Sequence, residues 1–293
     1  MSACRHIVSA VLFFLLTAAS LCPAQHRRGS AGSSARNREL SSQAEDAARA
    51  AARPTPRTDR NSLIAHAQLL EKAGKGGIDV YFVGDSITRR WGTSDDQYKE
   101  FLANWRQNFF GWNAADFGWG GDTTQNILWR LENGELDKVH PKIIVVLAGT
   151  NNVGNRSPQG SEDRRVADTT RGIKAILDIC LRKAPHSTIV LMGITPRNDN
   201  IAVMPIINKI NDNIAKFADG RRIRYLNIND RLADKEGRLL EGMAQGDGLH
   251  LDVKGYQVWA DALKPIFTAL LGPPAKEDRA PAPTGDPSLR KHP

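Results

Sequence analysis

Apolar positions follow two different periods along the middle of this chain. Short continuous runs at 78–83, 142–148 and 188–192, with weaker ones at 114–117 and 223–228, are rich in Val, Ile and Leu. They read as buried strands. Between them, apolar residues recur every three or four positions. Leu63, Ile64, Ala67 and Leu70 predict a helix over 61–73. Val166, Ile173, Ile176, Leu177 and Leu181 mark a long helix ended by Pro185. Ile206, Ile207, Ile210, Ile214 and Phe217 mark another, and Tyr256, Trp259, Ala260, Leu263, Phe267 and Leu270 a closing one. Asp122-Thr123-Thr124-Gln125 resembles a capping box opening a helix through Leu131. The polar, aromatic stretch up to Gly111 is expected to hold a helix near 97–106.

Strands thus alternate with helices about five times. That order predicts an α/β fold of right-handed βαβ units, with a parallel sheet covered on both faces. No internal repeat and no second domain is visible, so one domain is expected over 59–271. Its length is ample for a core, in a chain of 293 residues that is 41% hydrophobic.

The ends differ in composition. Arg5 and His6, then the apolar run from Ile7 to Leu21, then Cys22-Pro23-Ala24, read as a signal peptide over 1–24 with cleavage after Ala24. The apolar run falls short of the about 20 residues of a membrane span. An exported protein is therefore expected, periplasmic, cell-surface or extracellular, with no stable membrane span after cleavage. Residues 25–58 are rich in Arg, Ser and Ala and read as a disordered linker; residues 272–293, rich in Pro, read as a disordered tail. The net charge of +8 sits mostly at these ends: +5 in 1–58, +1 in 272–293 and only +2 in the folded part. Nucleic-acid binding by the domain is thereby disfavoured. Once the signal is removed Cys180 is alone, which excludes an intramolecular disulfide, and its spacing with Ile173, Ile176 and Leu177 places it in the core.

Four separated features carry chemistry. Gly84-Asp85-Ser86 follows the first strand. Gly118-Trp119-Gly120-Gly121-Asp122 follows the second. Gly149-Thr150-Asn151-Asn152 follows the third, and Asp247-Gly248-Leu249-His250 precedes the last helix. The first three fall at carboxyl ends of strands, the edge where open α/β sheets bind ligands. Acyl transfer wants such a set. Ser86 is the candidate nucleophile, His250 the base that takes its proton, and Asp247 the acid that holds the other ring nitrogen. The backbone N–H groups of Ser86 and Gly121 and the Asn151 amide are candidate donors to the oxyanion. Asp85 is assigned to shaping the turn. Taken singly, these would read as turn residues and a satisfied histidine; together they do not. Gly74-Lys75-Gly76-Gly77 precedes a strand instead of following one, so it is not a phosphate loop.

These same residues resemble the four blocks of the SGNH, or GDSL, hydrolase superfamily. The stretches Phe117–Thr124 and Leu128–Leu136, and the strand running into Gly-Thr-Asn-Asn, are similar to the catalytic subunits of platelet-activating-factor acetylhydrolase. The resemblance covers roughly 61–270. It implies a three-layer α/β/α domain, with a five-stranded parallel sheet in flavodoxin-like order, and ester hydrolysis without metal or other cofactor. It also implies Ser86, Asp247 and His250 as the triad, with Ser86, Gly121 and Asn151 as the oxyanion hole. Those subunits are intracellular, whereas this chain carries an export signal. Secreted bacterial relatives often deacetylate carbohydrates, so a small-molecule or carbohydrate acetyl ester is the expected substrate, with a phospholipid-like ester as the alternative. The rim points the same way: polar connections around the site, with only Trp91, Trp119 and the 201–205 patch to add apolar surface, favour a short acyl group. A non-catalytic binding module on the same fold would have no need to keep the serine, histidine and asparagine together. A metal-dependent phosphoesterase would need a His and Asp cluster that the sequence does not offer. The oligomeric state is not legible.

Overall fold

The computed structural model describes Arg36, residues 50–154 and residues 161–289. The signal-peptide reading of 1–24, most of the linker and the polar rim segment at 155–160 lie outside the described residues. From residue 50 onward the chain belongs to one compact unit, Glu45–Pro293.

Five strands form a parallel sheet: β1 (Val80–Gly84), β2 (Ala114–Asp116), β3 (Ile143–Leu147), β4 (Thr188–Met192) and β5 (Ile223–Leu226). Their order is β2-β1-β3-β4-β5, the expected flavodoxin-like order. Helices α1 (Arg60–Lys75), α2 (Ser86–Gly92), α3 (Lys99–Phe109), α4 (Thr124–Arg130), α5 (Thr150–Val153), α6 (Glu162–Lys183), α7 (Met204–Ala215), α8 (Asn229–Leu232) and α9 (Val253–Leu271) fill the connections. Chain order reverses at β1, because β2 lies on one side of it and β3 on the other. The carboxyl ends of β1 and β3 therefore splay into the crevice where such sheets place a site.

Alternate strand residues face opposite layers. Tyr81, Val83, Ile144, Val146, Ile189 and Leu191 pack with α1, α4, α6 and α7 into a mostly aliphatic core. Phe82, Val145, Leu147 and Met192 pack with α2, α3 and α9 into an aromatic one. In the latter, Trp91 stacks on Tyr256 at 4.9 Å and meets Trp105 edge-on at 5.5 Å. Cys180 is fully buried in the aliphatic layer, and burial pushes its thiol up to about 12.

The strands and longer helices match their expected positions closely. Helix α2 is missing from the sequence reading because its one apolar pair, Ile87 and Trp91, is too short a pattern to register. The larger difference is in the described parts of the ends, residues 50–58 and 272–289, which are packed where disorder is expected. The tail hydrogen-bonds along the domain: Trp112 Nε1 to Gly272 O (3.0 Å), Ala275 N to Gly111 O (2.9 Å), Gly111 N to Asp278 (2.7 Å) and Ser94 N to Thr284 O (3.0 Å). Before α1, Thr55 N donates to Gln125 O at 3.0 Å, and Asn126 Nδ2 donates to Thr55 O at 3.0 Å. Neither segment has apolar residues enough for a core. Both are tied through backbone groups and fixed by prolines that restrict the unfolded chain, and composition does not report either effect.

Candidate active site

Ser86 opens α2 directly after β1. Asp85 caps that helix, its carboxylate accepting the Ile87 N–H at 2.9 Å. The turn is buried, and burial pushes Asp85 up to about 7. As a first-turn residue of the helix, Ser86 has a backbone N–H with no acceptor within the helix.

His250 arrives from the loop before α9, and its Nε2 stands 2.7 Å from Ser86 Oγ. Its Nδ1 stands 2.6 Å from Asp247 Oδ2, while Asp247 Oδ1 accepts the backbone N–H groups of Leu249 and His250, each at 3.0 Å. Asp247 thus organises its own turn and the imidazole together. Burial opposes its charge, but those two N–H groups and the ring outweigh it and bring the carboxyl down to about 2. His250 is lowered below its ordinary value, by burial first and then by the Arg90 guanidinium, against the pull of Asp247. Arg90 Nη1 donates to Asp247 at 3.1 Å and to Gln245 Oε1 at 2.9 Å. Tyr256 ties the two elements together, donating from α9 to Ile87 O of α2 at 2.7 Å. A hydroxyl so placed can give its proton to a neutral imidazole at the moment it attacks a carbonyl.

Gly121 and Asn151 face the same cleft as Ser86 and His250, a cavity of about 520 Å³. Gly121 takes φ +80°, a left-handed turn that a side chain would strain. Gly149, at φ +119°, lets the chain leave β3 and turn at once into α5. One N–H of the Asn151 amide holds the Asp122 carbonyl at 2.9 Å, which leaves the other to point elsewhere. Asn152, to which the sequence assigns no role in the site, fixes the same loop: its Oδ1 accepts the Thr124 N–H at 2.9 Å.

Behind this loop lies a buried ionic group that sequence reading missed. Asp122 is fully buried and accepts from Arg130 Nε at 2.5 Å; Arg130 Nη2 donates to Ser62 Oγ at 2.6 Å, and Glu135 pairs with His66 at 2.8 Å. Burial pushes Asp122 up to about 6, against the pull of Arg130. Arg57 is the other omission. It enters from the expected linker, and its Nη1 donates to Gly120 O at 2.5 Å. Asp122, Arg130 and Glu135 stand inside the motif stretches, but nothing contiguous marks them as partners, and no motif marks Arg57.

The cleft wall is polar. Among the described residues lining it, Leu249 is the one large apolar side chain; Arg57, Arg90, Arg197 and Asp199 supply most of the rest. Arg197 is itself clamped by Asp199 at 2.5 and 2.7 Å. Trp119 does not open onto the cleft. It is buried and sits 4.6 Å from the Arg89 guanidinium. Trp91 and Val203 are likewise core residues. A second hollow of about 610 Å³ between α1 and the tail contains none of these groups. Among the described residues, no His, Cys, Asp or Glu cluster could hold a metal ion, and no helix is long and apolar enough to cross a membrane.

Comparison with known proteins gives the family. Residues 82–258 match the model of the GDSL-like lipase/acylhydrolase family. The chain is 31% identical over 243 residues to platelet-activating factor acetylhydrolase IB subunit alpha1 of Bos taurus, spanning 81% of this chain and 97% of that one. It is 32% identical over 198 residues to subunit alpha2 of Rattus norvegicus, spanning 66% and 76%. A GDSL-like lipase structure from Bacteroides thetaiotaomicron shares the fold, with a TM-score of 0.55 at 19% identity over 71% of this chain and 100% of that one. The relatives set aside the reading as a non-catalytic binding module. The chain belongs to the GDSL-like lipase/acylhydrolase family and is an ester-hydrolysing enzyme.

Proposed function

We propose that this chain is an exported serine esterase that removes short acyl groups, acetyl first, from polar alcohols such as O-acetylated carbohydrates. Ser86 attacks the ester carbonyl while His250 takes its proton. Asp247 holds the imidazole in the correct orientation and stabilises its charged form. The negative charge on the carbonyl oxygen is met by the Ser86 and Gly121 N–H groups and by the free N–H of Asn151. Collapse of the tetrahedral intermediate expels the alcohol, protonated by His250. Water then repeats the sequence on the acetyl-enzyme and releases acetate.

The observation that carries the substrate reading is the cleft wall: arginines, an aspartate and glycines, with Leu249 as its one large apolar side chain among the described residues. An extended acyl chain would lie against charged groups there and leave them poorly solvated. Export rests on the amino-terminal apolar run, residues 7–21. A second reading, acetyl hydrolysis from a phospholipid-like alcohol, is favoured by the likeness to the acetylhydrolase subunits. One assay series separates the readings. Esters of a single alcohol with two to twelve carbons in the acyl group should give the highest kcat/KM at acetyl; an optimum at eight or beyond would overturn the short-acyl reading. Acetylated xylo- or manno-oligosaccharides should then outperform an acetylated ether phospholipid; the reverse order would install the second reading.

A further inference from the structure

We infer that Arg57, which lies before the first helix and outside the family match, is a positioning residue for the oxyanion hole, acting through the Gly120–Gly121 peptide. This rests on the proposed role of the Gly121 N–H as an oxyanion donor.

A peptide unit is planar, so its C=O and the following N–H point in fixed, opposed directions. The oxygen that Arg57 Nη1 contacts at 2.5 Å belongs to Gly120. The N–H on the other side of the same unit belongs to Gly121. Holding that oxygen therefore fixes the direction of the donor. A bond from a charged guanidinium also polarises the amide and makes its N–H a stronger donor.

The loop needs such a hold. Gly120 and Gly121 have no side chains to anchor them, and Gly121 is exposed at φ +80°. Arg57 stands directly against it: a Cβ built on Gly121 would come within 2.9 Å of Nη1. The guanidinium is itself held from both sides. Its Nε donates to Asp59 Oδ2 at 2.8 Å, and Asp59 caps α1 by accepting the Ser62 N–H at 3.0 Å. Asp122 lies 3.5 Å from Nη1 on the loop side. The Thr55 N–H donates to Gln125 O and its carbonyl accepts from the Asn126 side-chain amide, which keeps the whole segment in register with the loop. With Asp59 and Asp122 balancing it, the Arg57 charge acts on the one peptide it touches more than on the cleft as a whole.

The test uses the full chain with p-nitrophenyl acetate. Arg57→Met should lower kcat roughly 10- to 30-fold with KM unchanged, less than the ~10²–10³ lost when an oxyanion donor is deleted outright. Arg57→Lys, which keeps a charged donor, should recover most of the loss. Affinity for phenylboronic acid, whose serine adduct places an anionic oxygen in the hole, should fall by the same factor as kcat. The pH midpoint of kcat/KM should stay where it is, because the like charge pressing on His250 is Arg90. Wild-type kcat and boronate affinity in Arg57→Met, or a rise in KM alone, would overturn the inference. If Arg57→Met loses its cooperative unfolding transition, Arg57→Gln, with a neutral N–H in place of the charged one, is read by the same two ratios. Ser86→Ala run alongside separates the levels: if it retains turnover the proposed site fails, and if it is dead while Arg57→Met is fully active only the role of Arg57 fails.

Discussion

The two sides of the cleft are built differently. On the side that holds Ser86 and His250, each turn is shaped by contacts short along the chain, and the Tyr256–Ile87 and Arg90–Asp247 bonds then join the two turns across 169 and 157 residues. Asp85 caps the turn two residues on, and Asp247 holds a ring and two backbone groups within three residues of itself. On the side that presents Gly121 and Asn151, the contacts reach far: Asn151 to Asp122 across 29 residues, Arg57 to Gly120 across 63, Arg130 to Ser62 across 68. On the attacking side each turn carries its own shape in a compact motif, and long-range bonds only bring the two turns together. The receiving side is a flexible glycine loop that borrows its geometry from elsewhere. A site of this kind should lose chemistry when the first side is cut, and lose transition-state grip more gradually as supports of the second are removed.

The largest effect is expected on the attacking side. His250→Ala should lower kcat by about 10⁶-fold and leave the fold intact; stopped-flow and steady-state assays of one acetyl ester measure it, and a loss below about 10²-fold would mean another base. Asp247→Asn should cost less, roughly 10⁴-fold, because the acid orients and stabilises without exchanging protons with substrate. If circular dichroism instead finds the Asp247 variant unfolded, its bonds to Leu249 and His250 matter for folding more than for catalysis. Across the cleft, Asn151→Ala should cost ~10²–10³ in kcat with little change in KM. A change in KM alone would make Asn151 a ground-state binding residue.

The smallest effect concerns pH. His250 must be neutral to act as base, and burial and Arg90 lower its pKa. Activity should therefore rise with pH through a midpoint below the ordinary histidine value. Arg90→Gln removes the like charge and frees Asp247 to act on the ring alone. Both changes favour the imidazolium, so the midpoint should move upward. A downward move would show that Arg90 stabilises the ring.

The same contrast explains what could be read from the sequence. The five apolar runs, the helical repeats between them and all four motif blocks stand in contiguous residues, so fold class and candidate residues were legible, while the strand order came from the family resemblance those blocks carry. The supports were not. Arg57 sits in an Arg-, Ser- and Ala-rich stretch that composition assigns to disorder, and Thr284 sits in a Pro-rich tail. Their order comes from backbone hydrogen bonds to partners distant in sequence. Arg130 stands in the Leu128–Leu136 stretch with no role marked; only the fold buries it against Asp122. Trp119 sits in a glycine-rich block where an aromatic ring could stack on a sugar, yet it turns inward beneath Arg89.

Covalent labelling tests the central claim most directly. The purified enzyme, treated with a fluorophosphonate and digested, should yield one modified peptide, with the adduct on Ser86. Labelling should track the loss of ester turnover, one adduct for each site inactivated, and Ser86→Ala should neither label nor turn over. An adduct on a different serine, or turnover that survives in Ser86→Ala, would contradict the account at its base.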